Sequence, residues 1–112
     1  MADYLGLGDR LSSRPSDVMA VAAFGDDLRA AKYLWRGMSS ADLAHAIALH
    51  ECGVVDTSVA LQLLNALVDL DALSHEETEF DPHVGDLYNN RDRMLKTAAP
   101  EAAGHLHSGR AR

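Results

Sequence analysis

The residues of this chain best equipped for chemistry stand together at its end, in His105-Leu106-His107-Ser108-Gly109-Arg110-Ala111-Arg112. The stretch holds two imidazoles, a hydroxyl and two guanidiniums. The planar fork of an arginine pairs bidentately with carboxylate or phosphate. Arg110 and Arg112 lie two apart, close enough for both to reach one anionic ligand. Gly104 and Gly109 bracket the run and open turn conformations closed to other residues. No helical or strand period anchors the stretch, so it is expected to form a loop. Composition alone also fits a plainer reading, a disordered basic tail.

Other chemistry is poorly supported. The chain has six histidines, but His45 and His50 miss the four-residue spacing that puts two ligands on one helical face. His105 and His107 could chelate from a loop, yet the single Cys52 falls in a different element. No zinc-like spacing occurs, and no metal is expected. No glycine-rich phosphate loop follows a strand and no nucleophile elbow is present, so no cofactor is expected either. The carboxylates Glu76, Glu77, Glu79 and Asp81 are read as a solvated connection rather than a paired-acid site.

The elements that must position the terminal stretch are helical. Residues 1–15, rich in Gly, Ser and Arg and closed by Pro15, read as an irregular arm. Ser16 or Asp17 caps a short helix, Val18 to Phe24, broken at Gly25. A second run from Asp26 carries Leu28, Ala31, Leu34 and Trp35 at helical spacing. Ser39 or Ser40 is expected to cap a third helix, with Leu43, Ala46, Ile47 and His50 on its apolar face and Gly53 at its end. After Asp56-Thr57, Ala60, Leu63, Leu64, Leu67 and Leu70 form one face of a fourth helix, widened by Leu61 and Val68. Asp81 as cap and Pro82 at the first position open a fifth, which carries Val84, Leu87, Tyr88, Arg91, Met94 and Leu95. Thr97-Ala98-Ala99-Pro100 ends it. No strand alternation is found. The expectation is an all-α domain of four to five helices spanning residues 16–112, with irregular termini.

Hydrophobic residues make up 47% of the chain, which suits a folded domain rather than disorder. The net charge of −7 speaks against a general nucleic-acid binder. From Gly37 to Asn90 there are ten acidic residues and no Lys or Arg, whereas five of the ten basic residues fall from Arg91 onward. An acidic body with a basic end can steer a small anion to that end. A lone cysteine implies no disulfide. Neither a signal peptide nor a membrane-length apolar run is seen, so a soluble cytoplasmic protein is expected.

Leu106-His107-Ser108-Gly109-Arg110-Ala111-Arg112 resembles the Leu-His-Thr-Gly-Arg-Ser-Arg motif of argininosuccinate lyases, in the fumarase/aspartase superfamily. Ala44-His45-Ala46, in a helix ending Cys52-Gly53-Val54-Val55, resembles the family's Ala-His-Ala…Gly-Ile-Leu segment, although His45 by itself reads as an ordinary helix residue. In the family a Glu-Asp-x-His run opens the next helix but one, and Asp81-Pro82-His83 is similar to its Asp-x-His part, one residue short. Leu7-Gly8-Asp9-Arg10-Leu11 is a faint echo of the family's Trp-Gly-Gly-Arg-Phe-like run. Two positions depart from the pattern. Asp27 stands where the family has a substrate-contacting serine, and Ala111 replaces another.

The resemblance implies the amino-terminal part of a lyase that eliminates an amine from argininosuccinate, or a related substituted succinate, to give fumarate. Such a reaction removes a proton next to a carboxylate, and positive groups aimed at the developing charge lower the barrier. Arg112, Ser108, Gly109 and Arg110 are the implied substrate-binding residues, Arg112 reaching the anion and Arg110 supporting the loop. The family's serine base and its partner histidine belong to later motifs, so no catalytic residue is assigned and this chain alone should be inactive. The implied partners are a small anionic substrate, the remaining lyase domains and the other subunits of a homotetramer. The competing expectation is a stand-alone helical interaction module whose basic tail binds an acidic partner.

Overall fold

A computed structural model describes residues 13–110. Residues 1–12 of the arm expected over 1–15, including Leu7-Gly8-Asp9-Arg10-Leu11, and the terminal Ala111 and Arg112 lie outside the described residues. Every regular element among those described is helical, and the chain forms a small all-α domain.

The chain enters through α1 (Asp17–Met19), a π-helical segment (Ala20–Phe24) and α2 (Gly25–Arg29). Ser16 caps the start, its Oγ accepting from the Met19 amide at 3.2 Å. The expected break at Gly25 does not occur, because Gly25 keeps right-handed helical angles (φ −60°, ψ −39°). The disturbance is a widened turn before it, not a stop.

The expected second and third helices also fuse. After a turn at Ala30, α3 runs unbroken over Ala31–Glu51, through Gly37, Ser39 and Ser40. Ser39 is not a cap; it is buried within the helix. The face turned inward is Ala31, Trp35, Ser39, Ala46 and Leu49, a spacing of about four residues, so burial of this stripe outweighs the modest helix preference of Gly and Ser. Ile47 and His50, expected on the apolar face, are exposed.

The end of α3 is as read. Gly53 takes φ +73°, the Val54 amide donates to the Leu49 carbonyl at 2.9 Å and the Gly53 amide to the His50 carbonyl at 3.0 Å. This is the Schellman closure, which needs left-handed backbone that glycine adopts without strain. Asp56 then caps α4 (Thr57–Ala72), its Oδ1 accepting from the Val59 amide at 2.8 Å. α3 and α4 fold back on one another as a helical hairpin: Leu49 meets Ala60 near the turn, Ala46 meets Leu63 and Leu67 at mid-length, and Trp35 joins a cluster with Leu70 at the far end. Leu61 and Val68, expected to touch further neighbours, are each 55% exposed.

Asp81-Pro82 does not open a helix. Residues 81–84 form a turn, with the His83 amide donating to Asp81 Oδ1 at 2.9 Å and the Val84 amide to the Asp81 carbonyl at 3.0 Å. α5 (Leu87–Ala98) begins five residues later, capped by Asp86, whose Oδ1 accepts from the Asn89 amide at 2.9 Å. Gly85 makes that delay feasible with φ +131°. Asn90, fully buried, ties the loop to the helix. Its Nδ2 donates to the carbonyls of Asp81, Gly85 and Asp86, and its Oδ1 accepts the Asp81 amide.

The terminal stretch is not a plain loop. Ala103–His107 forms a 3-10 helix. Ala102, Ala103 and Leu106 are buried in one cluster with Ala46, Leu63, Leu67 and Leu95. Small alanines let the backbone lie close, and Leu106 anchors it.

Candidate functional site

The 3-10 helix sets the motif residues against α3 and α5. α3 presents Asp42 and His45, three apart and therefore on one face. α5 presents Tyr88, Arg91 and Asp92 from neighbouring turns. These five side chains receive the motif.

Asp42 is the first fastening. Its Oδ2 accepts from Arg91 Nη2 at 3.1 Å and its Oδ1 from Arg110 Nη1 at 2.7 Å. One carboxylate thus holds two guanidiniums. The Arg91 side chain is only 3% exposed and lies over the Trp35 ring, 4.4 Å from its centroid, a cation–π contact in a desolvated setting. A buried arginine stripped of its carboxylate would carry an uncompensated charge.

His107 is the second fastening. Its Nε2 lies 2.9 Å from Asp92 Oδ1 and its Nδ1 2.6 Å from the Tyr88 hydroxyl. Asp92 is buried and also accepts from Lys96 Nζ at 2.8 Å. The third is His45, whose Nε2 donates to the Ser108 carbonyl at 2.9 Å. Gly109 follows with φ +74° and the Arg110 amide closes the turn on the His107 carbonyl at 3.0 Å.

These groups enclose a cavity of about 20 Å³ lined by Asp42, Tyr88, Arg91, Asp92, His107 and Arg110 over a floor of Leu70, Leu95 and Leu106. That is room for about one water molecule. A broader groove between α4 and the end of α5 is lined by Asp69 and Glu101 without any cation.

The structure therefore brings Ser108, Gly109 and Arg110 together, and Arg112 lies outside the described residues. His105 is exposed and His107 is taken up by Tyr88 and Asp92, so the two do not form a chelating pair. Among the described residues no group of three His, Cys, Asp or Glu could hold a metal ion, and no helix is long and apolar enough to cross a membrane.

Asp42, Tyr88, Arg91 and Asp92 were not legible as site residues. The available sign was Arg91, a charged residue in the apolar stripe of α5. Asp27 also gains a plain structural role, since its Oδ2 accepts the Leu87 amide at 2.8 Å.

No protein-family model matches the chain, and no solved structure matches it. Curated argininosuccinate lyases do, three of them as follows. The enzyme of Methanocaldococcus jannaschii is 26% identical over 82% of this chain and 19% of its own length. Argininosuccinate lyase 1 of Shouchella clausii is 26% identical over 92% of this chain and 21% of its own. The enzyme of Methanoculleus marisnigri is 27% identical over 99% and 22%. These similarities support a weak, distant relation to argininosuccinate lyases. The chain spans about a fifth of the length of the curated relatives it matches.

Proposed function

We propose that this chain is the amino-terminal domain, with its arm, of an argininosuccinate-lyase-like carbon–nitrogen lyase. Residues 1–15 form the arm, and the helical domain from residue 16 carries the first active-site motif. The observation that carries this reading is the docking of Ser108-Gly109-Arg110 onto α3 and α5 by Asp42 and His45, within a chain similar to three such lyases over most of its length. A tail meant only to attract an acidic partner gains nothing from burying Leu106 or pairing Arg110 with an acid.

The division of labour follows from charge. Arg110 is engaged by Asp42, which it shares with Arg91, and serves the loop. Arg112 is the residue offered to the substrate carboxylate, with the Ser108 hydroxyl and the Gly109 amide as neighbouring donors. Elimination builds negative charge beside that carboxylate, and fixed positive groups lower the barrier. The substrate is argininosuccinate or a related substituted succinate. Asp27 and Ala111, at family substrate positions, favour a related compound. The base, the acid and the homotetramer partners come from elsewhere in the complete protein.

The test is fumarate release from argininosuccinate by the complete gene product, followed by the absorbance of fumarate. Arg112→Ala should lower substrate affinity by about one to two powers of ten, the worth of a charge-assisted contact. Arg112→Lys should recover only part, because a point charge cannot copy the planar fork. Turnover and affinity unchanged in Arg112→Ala remove this site from the reading.

A further inference from the structure

We propose that Asp92 and Tyr88 are positioning residues that hold His107 as an Nε2–H donor and thereby fix the path of the chain through Ser108-Gly109-Arg110. This rests on the reading of the motif as an anion site, but its test does not. An ionised carboxylate can only accept, so the 2.9 Å contact between His107 Nε2 and Asp92 Oδ1 requires the proton on Nε2. The opposite nitrogen faces the Tyr88 hydroxyl at 2.6 Å, a group that can donate or accept. The ring is therefore held at both ends and serves as a post for the chain. The Tyr88 ring also meets it edge-on, with centroids 5.7 Å apart.

The post matters because of what hangs on it. The His107 carbonyl accepts the Arg110 amide at 3.0 Å, closing the turn that contains Gly109. Release of the ring would remove the tether that holds this stretch of backbone against α5, and with it the placement of the turn that follows. Asp92 is suited to the task because it is buried and shared with Lys96, which holds the carboxylate still while His107 is docked.

The test uses the 112-residue chain labelled with 15N. Long-range proton–nitrogen spectra should place the His107 proton on Nε2, and amide exchange should show the Arg110 amide protected. His107→Gln puts an amide nitrogen near the place of Nε2 and should retain the protection. His107→Asn reaches only the place of Nδ1 and should lose about one power of ten of it, as should Asp92→Ala. Proton density on Nδ1 alone in the parent overturns the proposal, and that readout needs no variant to fold. Equal protection in the Gln and Asn variants overturns it as well. Failure of the complete gene product to release fumarate, with these results intact, would instead remove the lyase reading and leave the docking of His107 standing.

Discussion

The carboxylate of Asp27 accepts the backbone amide of Leu87 at 2.8 Å, across sixty residues of sequence. Leu87 is the first residue of α5, and the N-terminal amides of a helix have no partner within it. Asp27 therefore closes the start of α5 from a separate helix, beside the Asp86 cap. The negative charge is also placed at the positive end of the helix dipole.

This contact gives Asp27→Ala a definite cost. Loss of a capping interaction destabilises by about 0.5–2 kcal/mol, read as a lower urea midpoint. Asp27→Ser, which restores the residue type of the family, should recover part of the loss only if its shorter side chain still reaches Leu87. An Asp27→Ala chain as stable as the parent would show that Asp86 alone closes the helix.

Asp42 should be far less tolerant. Asp42→Ala strips both Arg91 and Arg110 of their carboxylate, and an orphaned buried charge costs about 3–5 kcal/mol. Replacing Arg91 together with Asp42 by apolar residues of similar volume should restore much of that stability. A double-mutant cycle in chemical denaturation measures the coupling. Additive effects would mean the pair is not coupled.

Arg91 leads to a prediction about hydration. Its Nε and Nη1 are buried without a hydrogen-bond partner, and the adjoining cavity has a volume of about 20 Å³. The cavity holds about one water's volume, and the carboxylates of Asp42 and Asp92 both line it, so a water is the expected occupant. A high-resolution crystal structure should show one ordered water in hydrogen-bond reach of Arg91. Anomalous signal at that place after a bromide soak would show an anion instead.

The two sides of α4 should respond differently to change. Leu63→Ala empties a fully buried position and should cost about 2–5 kcal/mol. Leu61→Lys, on the half-exposed face, should stay within about 0.5 kcal/mol of the parent. Leu61 and Val68, each 55% exposed, should also contribute to binding of an apolar dye, which Leu61→Lys should reduce. The fifth helix contributes no such surface, since Leu87 and Leu95 are buried. Equal losses of stability from the two leucine changes would mean α4 is packed on both sides.

The amino-acid sequence by itself determined the all-α class, helix starts at Ser16 or Asp17 and at Asp56-Thr57, the Gly53 closure and the inward face of α4. These depend on residues within one or two turns of one another, where capping chemistry and a 3.6-residue period act directly. It also singled out the terminal stretch, through residue types together with its resemblance to a family motif. Tertiary structure decided the rest. α3 continues through Gly37, Ser39 and Ser40 because burying Trp35, Ala46 and Leu49 outweighs local preference. α5 starts at Leu87 because Asp27 and Asn90 fix the chain before it, which no local pattern around Asp81-Pro82 encodes. The motif is docked rather than free because Asp42, His45, Tyr88 and Asp92 converge on it from two helices. Partners dozens of residues apart leave no periodic trace, since their meeting is set by how whole helices pack.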